Sequence, residues 1–557
     1  MRWRRLKNPF FLPYDRVINH YFVPSLRYMW RKIRSLWICL LFCLSIFYVV
    51  DLTFDVVERA SGGNVLYVNT TGDGGAYTSI QDALDAASDG DTIYVYKGKY
   101  FDNIVINKVI NLTGEDRQWS SIHGRIYDFT IKIVVDWVNI TNMNITASGP
   151  HHDGIGIVVD NVKNCRIMNN NITYEKWGMK ILKSSNIYIT SNYFFTPQTY
   201  GIYLSGSNNI NISYNIIRDC NFGIYSDSSS HNDMYYNNMS NNGILIKGDL
   251  LDHWNTHNID TSNIVNEKPV YYWRNQSEGI IPQGGGQVII ANCTDIDVSS
   301  QDLNNTSVGI EFGFCLNCNI TSINSSNNEY GAFIYNSDKS TIVDSFFSKN
   351  NYSIYIYSSN NNSILRNYVF STGRSAFGSG IYLYDFSSPN NIRDNILYDN
   401  YHSIRIDSSD LNNITGNSIC DSYRGIFIED SNNNNISNNI MTNNSYGSYL
   451  TNSHNNMFIG NDLSLNWYAV YLAGSDNIIT NNIFSSNNYY SLYLSWSNRN
   501  NITKNNITDS NGYGITLYWS DSNNITWNRV LNNNGAIYIN GSVDNYVAKN
   551  TISNNIY

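Results

Sequence analysis

From about residue 120 onward one pattern recurs: a small residue, an Ile-like residue, a variable residue and an apolar residue. It reads Gly201-Ile-Tyr-Leu204, Gly223-Ile-Tyr-Ser226, Gly380-Ile-Tyr-Leu383, Gly425-Ile-Phe-Ile428 and Ala469-Val-Tyr-Leu472, among others. From Gly309 the steps between copies are 22, 22, 27, 23, 22, 22, 22, 22, 23 and 22. Asn-Asn-Ile segments keep nearly the same period, at Asn390, Asn412, Asn434, Asn500 and Asn523. Side chains alternate between the two faces of a strand, so the Ile and the last residue of each copy point inward and the third points outward. A period near 22 with several short apolar alternations per repeat predicts the coil of a right-handed parallel β-helix. The L-x-x-L-x-L pattern of leucine-rich repeats is absent. Roughly 440 residues at this period make about 20 coils, and at ~4.8 Å per coil a rod on the order of 95 Å long.

Ahead of the repeats, residues 64–119 read as a cap. Val65-Leu-Tyr-Val68 is a short strand, and Ile80, Ala83, Leu84 and Ala87 fall at helical spacing behind Thr78 or Ser79 as N-cap. A short amphipathic helix there shields the apolar end of a solenoid. The repeat is interrupted at 249–286, where Trp254, Lys268-Pro-Val-Tyr-Tyr-Trp273 and Gly284-Gly-Gly286 break the spacing. The step of 44 across it predicts a coil carrying a loop that leaves the surface of the rod.

Composition supports repeats: 89 of the 557 residues are Asn and only 8 are Pro. Asn tolerates the left-handed turn conformation and bonds its own backbone, which suits tight corners, and stacked Asn side chains can bond along the axis. Aromatics at 14% argue against disorder, and a net charge of −9 against a nucleic-acid binder. Charge is unevenly placed. Residues 1–34 hold nine Lys or Arg against Asp15 alone, followed by the uncharged run Leu36–Val50. This predicts a basic cytoplasmic segment at 1–34, an uncleaved signal anchor or transmembrane helix at 35–54, and a large exterior portion at 64–557. A cleaved signal peptide is the alternative, and Met29 is an alternative start. About twenty Asn-x-Ser/Thr sequons, such as Asn139-Ile-Thr141, read as glycosylation acceptors or simply as products of the repeat.

The order of strand, capping helix and Asp89-Gly-Asp-Thr-Ile-Tyr-Val95 resembles the start of pectin-lyase-like β-helix proteins. His257-Asn-Ile-Asp260, Lys268–Trp273 and Gly286-Gln-Val-Ile-Ile-Ala-Asn-Cys293 resemble archaeal members of the NosD-type right-handed β-helix family, which is named for a periplasmic copper-binding protein. The resemblance covers roughly 64–557. It implies the fold and leaves function open, because β-helices host many roles.

The outward residue of each copy gives Tyr203, Tyr225, Leu245, Glu311, Phe333, Tyr355, Tyr382, Arg405, Phe427, Tyr449, Tyr471, Tyr493, Thr516 and Tyr538. Stacked one coil apart, these form an aromatic column. It is either a platform for the C–H faces of sugar rings or an internal brace of the sheet. Tyr203, Tyr225, Tyr355, Tyr382, Phe427, Tyr449, Tyr471 and Tyr493 are the candidate glycan contacts. Arg405 interrupts the column, with His402, Asp407, Arg424, Glu429, Asp385 and Arg374 near it. Asp407 and Glu429 are 22 apart, hence ~5 Å apart on one face. Two carboxylates or an Arg base could act on a polysaccharide, so Arg405, Asp407 and Glu429 are the catalytic candidates. Neither the Asp clusters of polygalacturonases nor a lyase Arg signature is visible, and a solvated charge patch is the competing reading. His151-His-Asp-Gly154 reads better as a turn. Cys293 lies 22 before Cys315 of Cys315-Leu-Asn-Cys318, as a disulfide Cys293–Cys315 or a buried thiol ladder. Cys165, Cys220 and Cys420 read as buried single thiols. His253 and His257 share a helical face but lack a third ligand, so neither a metal nor a cofactor is expected. The expectation is a membrane-tethered surface β-helix that binds extracellular polysaccharide or envelope glycans, or forms part of the envelope. The alternatives are a polysaccharide lyase or glycoside hydrolase, and a NosD-like metal-maturation factor.

Overall fold

The structure is a computed structural model that describes residues 63–557, apart from 126–127, 147–153, 174–175, 196–198 and 374–377. The basic segment, the signal anchor and the His151-His152 pair lie outside the described residues, as does Arg374. Among the described residues no helix is long and apolar enough to cross a membrane.

The chain from Val65 is a right-handed parallel β-solenoid of about 20 turns with ~22 residues per coil. Each full coil contributes three strands. In one coil these are the long strand His402–Asp407, then Asn413–Thr415 and Ser418–Cys420, and the next coil begins at Arg424. Strands pair in parallel with their equivalents one coil on, so Ile404 meets Ile426 and Ile414 meets Ile436. In a long strand the first, fourth and sixth residues face out, while the second, third and fifth are buried, as in Tyr446–Thr451. The two consecutive buried positions explain why the second must be small: at Gly447 an added Cβ would meet the Ala469 carbonyl oxygen at 2.6 Å.

The corners explain the Asn richness. Ser408, Leu411, Gly416 and Asp421 all take positive φ, and the residues that follow, Ser409, Asn412, Asn417 and Ser422, turn into the interior. The Asn-Asn dipeptide is this pair of roles. Asn438 holds the left-handed corner at φ 55°, while Asn439 is wholly buried. Asn439 Oδ1 accepts from both the backbone N–H and Nδ2 of Asn417, at 3.0 and 2.9 Å. Asn439 Nδ2 donates to the Ile414 carbonyl at 2.8 Å and to Asn461 Oδ1 at 3.1 Å. Every polar atom of the buried amide is thus satisfied, as a dry interior requires. The ladder continues through Asn461, Asn482, Asn505 and Asn528. Ser409, Ser431 and Ser453 form a second ladder at another corner.

The helix Ile80–Ala86 buries Ile80, Ala83 and Leu84 beneath the first coils. Ser79 Oγ accepts from the Asp82 N–H at 3.2 Å, and Lys108 Nζ donates to the Leu84, Asp85 and Ala87 carbonyls at the C-terminal end.

The solenoid is not one uninterrupted rod. The long sheet that starts at Ile104–Ile106 ends at Ile244–Lys247, and a new one starts at Lys268–Arg274 and runs to Gly535–Asn540. The strand Lys268–Arg274 enters through an antiparallel pairing with Ile264–Val265. Segment 249–286 therefore does not protrude as a loop. It is the joint between two solenoids, with Trp254 fully buried in it. At the joint the end of the first solenoid rests on the outer face of the second. In the strand Gln287–Ala291, Val288 and Ile290 belong to the second core, whereas Ile289 and Ala291 belong to the first. Phe333 and Tyr335 also turn their rings into the first core.

The last long strand of the first solenoid has backbone N–H groups aimed at a coil that is not there. Side chains of the second solenoid take that coil's place. Gly243 N–H donates to Ser307 Oγ at 2.8 Å, Ile244 N–H to Gln287 Oε1 at 2.9 Å, and Ile246 N–H to Glu311 Oε1 at 2.9 Å. Leu245, Glu311 and Phe333 are consequently buried at 3%, 0% and 2% exposure, which corrects their place in the exposed column. Burial drives the Glu311 carboxyl well above the usual range, with the Ile246 N–H opposing it. A carboxyl raised in the folded state adds its full share of stability below its unfolded pKa, and that share is lost as pH rises through the folded value. Stability measured from the ordinary glutamate range upward is therefore expected to fall in the native protein. Glu311→Gln, which keeps the acceptor and cannot ionise, is expected to remove that component of the slope. Parallel slopes for the two proteins in urea melts across pH would contradict a neutral Glu311.

Candidate functional site

The outer face of the long sheet carries three columns, set by the first, fourth and sixth strand positions. The fourth-position column holds Tyr355, Tyr382, Arg405, Phe427, Tyr449, Tyr471 and Tyr493 in direct register. The Tyr449 and Tyr471 rings lie 4.5 Å apart at 4°, and Tyr471 and Tyr493 5.4 Å apart at 20°. Nearly parallel rings this close overlap face to face. Their faces are turned to one another along the axis, and edges and phenol hydroxyls face outward. A column of rings lying flat for sugars to stack on is therefore not what this stretch presents. Tyr382 and Phe427 are buried to 7% and 6% exposure, beneath the side chains that flank them. Tyr203 and Tyr225 sit on the first solenoid, 5.3 Å apart and edge-on, and Tyr203 donates to Asp227 Oδ2 at 3.0 Å.

A second column, at the first strand position, was not among the sequence candidates. It includes Tyr330, Tyr352, Tyr446, Tyr468 and Tyr490, with Tyr446 and Tyr468 stacked at 4.9 Å and 8°. Its signal is present in the sequence, as an aromatic residue placed just before the small residue at the same period.

The charged interruption gathers the three catalytic candidates around one guanidinium. Arg405 Nη2 donates to Asp407 Oδ2 at 3.0 Å and to Glu429 Oε2 at 3.2 Å. Tyr382 OH adds a bond to Asp407 Oδ2 at 3.1 Å, and Ser408 Oγ one to Asp407 Oδ1 at 3.0 Å. The Arg405 guanidinium lies 4.7 Å from the Tyr382 ring and 5.4 Å from that of Phe427. Arg424 lies 4.4 Å from Phe427 and 4.3 Å from Tyr449. His402 is buried and stacks on Phe427 at 5.0 Å. Burial, then Arg424 and Arg405, hold its pKa down at about 3, so the imidazole is neutral.

The six described cysteines are free. Cys293 Sγ donates to the Ala291 carbonyl at 3.3 Å, and the thiol that Cys315 meets is that of Cys318. Burial pushes Cys315 well up. Cys165 and Cys220 are buried, whereas Cys420 is only partly so.

Residues 274–445 and 404–557 match the family of the periplasmic copper-binding protein NosD, together more than half of the chain. The chain belongs to the NosD family. Residues 134–295 match the right-handed β-helix region family. No curated protein matches the sequence. Among solved structures, this NosD-type chain is similar to a pectin methylesterase in complex with a hexasaccharide, at 13% identity and a TM-score of 0.26, covering 44% of this chain and 80% of that one. It is also similar to the periplasmic alginate epimerase AlgG, at 12% identity and a TM-score of 0.30, covering 72% and 78%. A third is the Dettilon tailspike protein, at 15% and 0.27, covering 64% and 66%. These overlaps are too slight to carry an argument about activity.

The NosD name raises copper. Among the described residues no group of three or more His, Cys, Asp and Glu side chains is placed to hold a metal ion. His257 is engaged on both nitrogens, with Nε2 2.8 Å from the His253 carbonyl and Nδ1 accepting from the Asn232 N–H at 3.3 Å. The described side chains do not fit a copper centre.

Proposed function

We propose that this NosD-type solenoid is a surface protein that binds extended glycans along the outer face of its second long sheet, between Tyr355 and Tyr493. The observation that carries the reading is the Arg405–Asp407–Glu429 cluster set between stacked tyrosines on an open face. Phenol hydroxyls and ring edges repeat every coil beside fixed charged donors and acceptors. Such a row can hydrogen-bond successive sugar hydroxyls along an extended chain. The family is named for a periplasmic protein, which agrees with a chain acting outside the cytoplasm, and the segment at 35–54, built on the uncharged run Leu36–Val50, would tether it to the membrane.

The test is retention on immobilised envelope polysaccharide. The variant Tyr449→Ala/Tyr471→Ala/Tyr493→Ala is expected to lose roughly 0.2–1 kcal/mol per ring in sheet packing. Its retention should drop by about tenfold or more, because neighbouring contacts act together on one chain. Unchanged retention with an intact fold would leave this strip a bracing role alone. The lyase or hydrolase reading needs a carboxylate free to exchange a proton, and both candidates here share one guanidinium. Release of reducing sugar that disappears in Asp407→Ala/Glu429→Ala would restore it.

A further inference from the structure

We propose that Trp496 is the stacking platform of a separate subsite, which takes one pyranose ring of a glycan at the corner that follows the long sheet. Such a site rests on the reading of this face as glycan-binding, but not on its tyrosine row.

The corner residue after each long strand takes positive φ. Ser408, Asp430 and Asn452 hold that place in three successive coils, and Trp496 and Trp519 hold it farther on, at φ 50° and 49°. Between them one coil lacks the residue. Thr451 is in register with Ala473. Gly474 follows directly and donates its N–H to Ser497 Oγ at 3.0 Å, as the Ser431 N–H donates to Ser453 Oγ at 3.2 Å. Gly474 therefore fills the inward place, and the coil is one residue short, with Asn456 and Asn477 only 21 apart. The line of corner side chains has a notch there, one coil or ~4.8 Å high.

The notch uncovers an indole face. Trp496 and Trp519 stack at 5.6 Å and 10°. On its far side Trp519 lies against Gly541, where an added Cβ would meet the ring at 2.8 Å. Trp496 has the shortened corner on its far side and is 69% exposed. Unlike Tyr449 and Tyr471, it turns a face to its surroundings. The surface beside it is low, because the small residues Thr451, Ala473 and Ser495 end three successive long strands. Farther round the same corner, Arg499 holds Asp476 through Nε at 2.8 Å and Nη2 at 2.7 Å.

The shape selects the ligand. A wholly apolar molecule needs an enclosed pocket, and this corner is open. A protein partner needs about 800 Å² on each side, and the two rings are bordered by small polar residues, Thr451, Asn452, Ser495 and Asn498. A pyranose ring offers a C–H face to the electron-rich indole and a rim of hydroxyls to water, amides and carboxylate.

Calorimetric titration of the full chain with cellohexaose and chitohexaose, whose rings carry axial C–H bonds on both faces, tests this. At least one is expected to bind with a Kd below about 1 mM. Trp496→Ala is expected to weaken that binding by about tenfold or more. Insertion of one asparagine between Ala473 and Gly474, which refills the notch and leaves Trp496 in place, should do the same. Both variants should keep the native melting temperature, since the altered side chains are exposed. Loss confined to these two corner variants places the contact here and leaves the tyrosine row a bracing role. Loss in the triple tyrosine variant, with native binding in both corner variants, overturns this site and leaves the long-sheet reading standing. Binding of neither sugar also overturns it. So does self-association of the native chain that Trp496→Ala abolishes, which would make the indole pair a contact between copies.

Discussion

Trp254→Ala is expected to loosen the joint between the two solenoids by about 3–5 kcal/mol, the usual cost of deleting a buried tryptophan. The ring is fully buried, stacked on Tyr335 at 5.2 Å and 23°. It fills the space above Gly313, where an added Cβ would meet the Trp254 ring at 2.0 Å. Its Nε1 donates to the Gly248 carbonyl at 2.8 Å, so deletion also orphans a backbone acceptor inside the joint. Around it, Tyr335 OH donates to Asp249 Oδ1 at 2.6 Å, and Tyr272 OH donates to the Trp254 carbonyl. Coils of a solenoid touch only their neighbours, so the loss should stay local. Hydrogen exchange should accelerate at Ile244, Ile246 and the 252–259 segment and remain native-like at coils beyond Ile414. Acceleration spread evenly over the whole chain would show that the joint does not fold as a separate unit.

Asn439→Ala is expected to cost about 2–5 kcal/mol, although the residue touches no ligand and sits in a run of near-identical repeats. Removing the amide strips acceptors from the Asn417 backbone N–H and from Asn417 Nδ2, both in a dry interior. Each orphaned donor costs about 1–3 kcal/mol. Asn438→Gly, one residue earlier, should stay within roughly 0.5 kcal/mol, because glycine adopts the left-handed corner at φ 55° without strain. Amide exchange in the coils from Asn412 to Asn466 reads both effects. Equal losses for the two substitutions would deny the division of labour within the Asn-Asn dipeptide.

The repeating part of this architecture was legible because each coil sees the same neighbours as the last. The 22-residue spacing and the inward Ile positions follow from that periodicity, and Ile404, Ile426 and Ser448 meet in the register it implies. The joint was not legible, for a physical reason. Glu311 and Phe333 occupy the same motif position as Tyr449 and Tyr471, and only contact with a coil end 65 residues away, as from Ile246 to Glu311, buries them. No local alternation records such a contact. The candidate site divides the same way. The spacing placed Asp407 beside Glu429, and the structure places them in register. It could not show that Arg405 bridges them, nor that the Tyr449 and Tyr471 rings turn their faces to each other. Register is set by backbone period, whereas ring orientation is set by how close the next ring stands.

Seating one coil end on another solenoid's flank gives the molecule two arms whose lengths can change independently. Ser307, Gln287 and Glu311 supply the whole set of substitute acceptors for Gly243, Ile244 and Ile246, and they lie on two adjacent long-strand coils. Loss or duplication of a unit such as 425–446 would shorten or extend the second arm by ~4.8 Å and leave that seat untouched. Near-identical neighbouring units are prone to such unequal exchange, so relatives of this chain should differ in reach by whole coils while the stretch from Gly243 to Tyr335 keeps a constant length.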